Sequence, residues 1–142
     1  MKDKVFFDTN VLVYAHTDLD TLKQAKAQEL ILDSNSFIST QVLQELANTL
    51  RKKFNQDWDD IIKVLEEASS NNQVLVNTET TIQKSFEIAK RYGFSFYDSL
   101  IVAAAISCDA SVLFTEDLQD GQIIESRLRI KNPFKKNPIS KP

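Results

Sequence analysis

The sequence predicts an α/β fold of three layers, a central parallel sheet with helices on both faces. Three observations point to it. Short apolar runs suited to buried strands alternate along the chain with longer stretches of helical periodicity. No Asn-Gly or similar two-residue hairpin signal joins any two of those runs. One helical stretch, 95–106, is apolar around its whole circumference, as a helix is when it is covered on most sides. Alternating strands and helices without hairpins build parallel sheets, because parallel neighbours need a crossover and the crossover helices cover the faces.

The elements follow in order. Val5, Phe6 and Phe7 form a short buried strand that stops in a turn at Asp8, Thr9 and Asn10. A helix runs from about Leu22 to Leu32. Phe37 and Ile38, flanked by serines, make a second strand, and a helix opens near Ser39 or Thr40. Another helix spans about Asp57 to Ala68, and Val74, Leu75 and Val76 make a third strand. Thr78 caps a helix that runs to Tyr92, with Gly93 in the usual position after a helix end. After the all-apolar helix, Val112, Leu113 and Phe114 form a strand that ends at Thr115, Glu116 and Asp117. Trp58 and Phe54 read as core residues. Residues 1–134 read as a single domain and 135–142 as a basic C-terminal tail.

Composition fits one folded domain: 142 residues, 42% hydrophobic and 26% charged. It also removes whole classes of chemistry. One Cys and one His exclude disulfide frameworks and Cys/His zinc sites. With only Gly93 and Gly121, neither a Walker phosphate loop nor a dinucleotide-binding glycine fingerprint can be written. His16 has no nucleophile motif near it, which leaves little for a Ser-His-Asp or Cys-His mechanism. No stretch reaches the ~20 apolar residues of a membrane span, and the opening is not a signal peptide. Cys108 in an apolar helical setting suits a reducing compartment, so the expected location is the cytoplasm.

The net charge of −3 is unevenly spread. From Arg127 onward there are six of the seventeen basic residues and none of the twenty acidic ones. A basic tail on an acidic body can supply phosphate contacts, and Lys131, Lys135 and Lys136 are the candidate nucleic-acid-binding residues.

Carboxylates remain for the chemistry. In open parallel sheets ligands bind beyond the carboxyl ends of the strands, and Asp8 and Asp117 each stand at such an end. Glu45, about a turn into the helix after the second strand, and Asp98, in the first turn of the apolar helix, can face the same edge. Each acid also has an ordinary explanation. Asp8 and Asp117 suit turns, Asp98 suits a capping box with Ser95, and Glu45 borders the apolar stripe of its helix. Their convergence is what carries meaning. Two carboxylates ~5 Å apart at an effective dielectric near 20 repel by about 3 kcal/mol. Such a cluster makes sense around divalent cations, and oxygen ligands without His or Cys suit Mg²⁺ or Mn²⁺. The chemistry expected is metal-assisted phosphodiester hydrolysis, with Thr9, Asn10, Ser99 and Thr115 hydrogen-bonding and orienting the acids.

Four segments in order, "FFDTNVLVYA", "STQVLQEL", "FSFYDSLIVAAA" and "VLFTEDLQDGQIIESRLRIKNPF", resemble the PIN-domain nucleases, and within them the VapC-type toxin ribonucleases of bacterial toxin-antitoxin pairs. The resemblance spans nearly the whole chain. It implies a PIN-like sheet between helices and an acidic site at Asp8, Glu45, Asp98 and Asp117. It also implies RNA as substrate, Mg²⁺ or Mn²⁺ as cofactor, a homodimer, and a cognate antitoxin protein that covers the site. Tyr97 stands where many relatives carry Trp, and Ser99 where many carry Ala. Two other readings stay open: a silent RNA- or protein-binding module of the same fold, and a PIN nuclease of RNA processing without an antitoxin. A receiver domain would want a Lys ending a later strand, and a haloacid-dehalogenase-like phosphatase an Asp at position 10; neither is present.

Overall fold

Val5, Phe6 and Phe7 are buried on both sides of strand β1 (Lys4–Phe7), as a central strand requires. In the computed structural model, which describes residues 3–135, β1 lies between β2 (Asn35–Ser39) and β4 (Val112–Phe114), parallel to both. β3 (Gln73–Leu75) extends the sheet beyond β2, and β6 (Leu128–Lys131) extends it beyond β4, again in parallel. The strand order is β3-β2-β1-β4-β6-β5. The register sets Phe6 opposite both Phe37 and Leu113, and Phe7 opposite Phe114. Phe37 and Phe114 are half-buried against the core, whose centre is formed by Phe6, Phe7, Leu113, Ile38 and Ile130. Burying each fully stabilises the fold by roughly 1.5–3 kcal/mol.

One pairing departs from the expectation of an all-parallel sheet. β5 (Ile123–Ile124) folds back antiparallel on β6. The turn between them takes Glu125 and Ser126 into positive φ, 51° and 58°, and Arg127 N–H bonds back to the Ile124 carbonyl at 3.1 Å. Two successive positive-φ residues make the type I′ turn that suits a tight hairpin. The sequence signal was missing because the turn is built from Glu-Ser and not from Asn or Gly.

Six helices flank the sheet in two packed groups. α1 (Thr9–His16) packs on α2 (Thr21–Asp33) and α3 (Thr40–Lys52), and α3 packs on α4 (Trp58–Asn71). α5 (Glu79–Tyr92) packs along α6 (Phe96–Ser107). α6 is buried continuously from Ser99 to Ile106, the arrangement its all-round apolar sequence requires. Thr78 caps α5 and Gly93 ends it at φ +75°. α1 corrects the sequence reading, which took Asp8, Thr9 and Asn10 as a turn. Asp8 is an N-cap, its carboxylate accepting from Thr9 N–H at 2.7 Å, and the helix starts at once. The segment is rich in Val and Thr, poor helix formers, but burial of Val11, Leu12, Val13 and Ala15 outweighs that propensity. Trp58 is a second correction. It is 59% exposed, with the Arg51 guanidinium over its ring at 5.1 Å, because it opens α4 on the outer side. Phe54 is half-buried against the core, as read.

Gly93→Ala should destabilise the protein by about 1–2 kcal/mol. No atom lies within 4 Å of an added Cβ, so the cost is purely that of a left-handed backbone, and urea unfolding measures it.

Candidate active site

The parallel pairing of β1 with β4 brings the residues just beyond their carboxyl ends side by side. Asp8 N–H bonds to the Phe114 carbonyl at 3.0 Å, which sets Asp8 next to Thr115. The Asp8 carboxylate is almost wholly buried. One oxygen accepts from Thr9 N–H, the other from Thr115 Oγ1 at 2.9 Å. The Thr115 hydroxyl in turn accepts from Asn10 Nδ2 at 3.2 Å and from Asp117 N–H at 3.1 Å. Asn10 Nδ2 also donates to Asp117 Oδ2 at 3.0 Å. From the other side, Thr9 Oγ1 donates to Glu45 Oε1 at 2.6 Å. Three acids from β1, α3 and the loop after β4 are thus tied into one network through Thr9, Asn10 and Thr115.

Asp98 stands apart. It lies in the first turn of α6, where its N–H bonds to Ser95 Oγ at 3.2 Å, so Ser95 caps the helix, but the carboxylate half of the expected capping box is not made. Its carboxylate makes no hydrogen bond or ion pair among the described residues. The link to the network runs through Gln41, whose Nε2 donates both to Glu45 Oε2 and to the carbonyl of Tyr97, each at 3.2 Å. Ser99 is fully buried with its hydroxyl unpartnered, and it does not touch the acids through a hydrogen bond. Lys131 contributes through its backbone, its carbonyl accepting from Thr115 N–H at 3.0 Å. Lys135 pairs with Asp120 at 3.5 Å, and Lys136 lies outside the described residues.

Sequence reasoning missed two groups. Gln41 is four residues before Glu45 on one helix, a pairing visible in the spacing. The other group surrounds Glu116, which accepts from Tyr14 Oη at 2.6 Å and Lys23 Nζ at 3.0 Å. It joins segments too distant in sequence to be paired without the fold. The network borders a cleft of about 450 Å³ between α1 and α3. His16 lies in a separate pocket with Glu67, 3.9 Å away, and does not line the cleft of the acids.

Burial pushes the Asp8 carboxyl up to about 7, against the lowering effect of its Thr9 and Thr115 donors; the charges of Asp117 and Glu45 push the same way. No Lys or Arg pairs with Asp8, Glu45, Asp98 or Asp117 among the described residues. The donor set, all oxygen and negatively charged, fits a hard divalent cation. Among the described residues no three of these side chains stand close enough to hold one ion as they are placed. Like charges repel, and Thr9, Asn10 and Thr115 already draw the carboxylate oxygens toward themselves.

An acidic network at the carboxyl ends of adjoining parallel strands, inside a sheet flanked by helices, makes this an α/β protein with a strand-edge cleft built for charge. The PIN domain family profile matches residues 5–119, and the chain belongs to the PIN-domain family. Solved structures share the fold. The sarcin-ricin loop-cleaving toxin VapC20 of Mycobacterium tuberculosis is 18% identical, with a TM-score of 0.66 over 80% of this chain and 91% of that one. A toxin-antitoxin complex from Klebsiella pneumoniae gives 20% identity and a TM-score of 0.67, covering 93% of this chain and 99% of that one. VapBC2 from Rickettsia felis, bound to a promoter DNA fragment, gives 19% and 0.65, covering 91% and 99%. No curated protein sequence matches. No helix among the described residues is long and apolar enough to cross a membrane.

Two outcomes are expected. In metal-free buffer the protein loses stability as pH rises from about 4 to 7, by about 2–4 kcal/mol in total, and then levels off. The folded state holds a proton on Asp8 that the unfolded chain releases near 3.8. Asp8→Asn flattens that profile in thermal melts. Thr115→Val should cost about 1–3 kcal/mol, because it strips a hydrogen bond from a buried carboxylate and an acceptor from two donors.

Proposed function

We propose that this protein is a metal-dependent endoribonuclease that hydrolyses RNA phosphodiester bonds at the edge formed by Asp8, Glu45, Asp98 and Asp117, and that it acts as the toxin of a toxin-antitoxin pair. The observation that carries the reading is the buried Asp8 carboxylate, raised to about 7, with Glu45 and Asp117 joined to it by one hydrogen-bonded network and, among the described residues, no cationic side chain paired with them. A fold spends stability on such an arrangement when a cation is its intended partner.

Asp8, Glu45, Asp98 and Asp117 are the residues that would hold Mg²⁺ or Mn²⁺. When bound, such an ion acidifies water and stabilises charge on phosphate oxygens. The chain's own groups do the positioning. Thr115 and Thr9 N–H orient the two Asp8 oxygens, Thr9 orients Glu45, and Asn10 orients Asp117. The exposed carboxylate of Asp117 and the half-buried one of Glu45 border the cleft where the phosphodiester lies. Asp98 would complete the set from α6; its neighbour Tyr97 is joined to Glu45 through Gln41, whose Nε2 donates to the Tyr97 carbonyl and to Glu45 Oε2.

The structural neighbours support this assignment: one cleaves the sarcin-ricin loop of RNA, and two are toxin-antitoxin assemblies. On that likeness a cognate antitoxin covers the cleft here too. A homodimer working in the cytoplasm, with residues 1–134 as the nuclease unit and 135–142 as a basic appendage, completes the reading.

Cleavage of structured RNA is expected to require Mg²⁺ or Mn²⁺. Asp8→Asn and Asp98→Asn are each expected to lose more than the ~10–100-fold typical of residues that only orient a metal ligand. Asp98→Asn is the sharper test, since Asp98 lies outside the hydrogen-bonded network. Cleavage that persists in EDTA, or near-normal rates in either variant, would sink the proposal in favour of a silent binding module.

A further inference from the structure

The cleft beside the acids has a second end. Its wall along α3 presents Glu45, Asn48, Thr49 and Lys53, spaced to fall on one helix stripe. Lys53 is the cation lining this cleft among the described residues. Two other nearby cations are committed. Lys23 pairs with Glu116 and lies over the Tyr14 ring at 4.7 Å. Arg51 donates to the Gln56 carbonyl at 3.0 Å and covers Trp58. Lys53 is exposed and makes no side-chain hydrogen bond or ion pair among the described residues. The side chains of Asn48 and Thr49 likewise make no hydrogen bond there, so all three groups face the cleft unspent.

We infer that α3 carries a phosphate subsite for single-stranded RNA, with Lys53 as its cation and Asn48 and Thr49 as neutral hydrogen-bonding groups. This rests on the nuclease reading above. Eight residues of helix separate Lys53 from Glu45, a rise of about 12 Å. At about 3.4 Å per stacked nucleotide that is a few nucleotides along a strand. The subsite therefore contacts a phosphate beyond the one being cut, and it fixes the strand along α3. A cleft of about 450 Å³ has room for the backbone of one strand and not for a duplex. An acidic edge repels a polyanion, and a cation at the far end offsets that repulsion where the strand enters.

A lysine at a helix C-terminus also answers the helix dipole. Lys52 fills that role equally but does not line the cleft, and it supplies the control. The experiment measures cleavage of a short single-stranded RNA of mixed sequence in Mg²⁺ over a range of salt, for wild type, Lys53→Ala, Lys53→Arg and Lys52→Ala. Lys53→Ala is expected to raise KM by about fivefold with kcat within twofold, and to flatten the slope of log(kcat/KM) against log[salt] by about 0.7, the value of one single-strand phosphate contact. Lys53→Arg restores both, and Lys52→Ala keeps the wild-type slope. Equal slopes in Lys53→Ala and wild type, or equal losses in the two alanine variants, overturn the subsite while leaving the nuclease reading intact. If wild type does not cut, the nuclease reading fails, and anisotropy with the same RNA decides the subsite separately. Binding that falls in Lys53→Ala but not in Lys52→Ala sustains it, and no binding by wild type overturns it.

Discussion

The hydroxyl of Thr115 has one proton and three partners, and that arithmetic organises the site. Asn10 Nδ2 and Asp117 N–H can only donate to it, so its own proton goes to Asp8. The orientation of Asn10 is fixed in turn, because its Oδ1 accepts from Glu116 N–H while its Nδ2 faces Thr115 and Asp117. Everything rests on the parallel pairing of β1 with β4, which carries Asp8 and Thr115 out of the sheet side by side. Both residues are buried, so the contact is made where water cannot compete for it.

Around that contact the chain manages a surplus of negative charge. Asp8 is kept neutral up to about 7 by burial. Glu116, next to Asp117 in sequence, is turned out of the acid network by Lys23 and Tyr14, and the Tyr14 ring is packed edge-on by Phe134 at 4.9 Å. The 115–117 loop therefore brings two carboxylates to the cleft wall, leaving Asp117 in the acid network and locking Glu116 against Tyr14 and Lys23. A second acid free at that point would add repulsion to a site already crowded with like charge.

The hydrophobic scaffold makes this tolerable. β1 buries three consecutive side chains and α6 buries eight consecutive residues, which leaves neither element freedom to shift when the acids repel. Asp8 and Asp98 hang on those two rigid elements. Glu45 sits on α3, which is anchored by the apolar stripe of Val42, Leu46 and Leu50 that Glu45 borders.

Much of this was legible in the residues. Strand β4 lies over the residues read for it, and the caps at Thr78, Gly93 and Ser95 follow from local chemistry that any chain would obey. The central parallel strands followed from apolar runs with no hairpin between them; Asp8 and Asp117 were singled out because they sit where such strands end, and Glu45 because it lies about a turn into the helix after one. The sequence could not give α1, whose weak propensity is overridden by burial, nor the β5–β6 turn, built without Asn or Gly. It could not separate Asp98 from the other three acids or place Gln41 beside Glu45 and the Tyr97 carbonyl. Each of those depends on which side chains meet across segments tens of residues apart. Local periodicity determines which face of an element is apolar; only the packed sheet decides which polar atoms come within hydrogen-bonding distance.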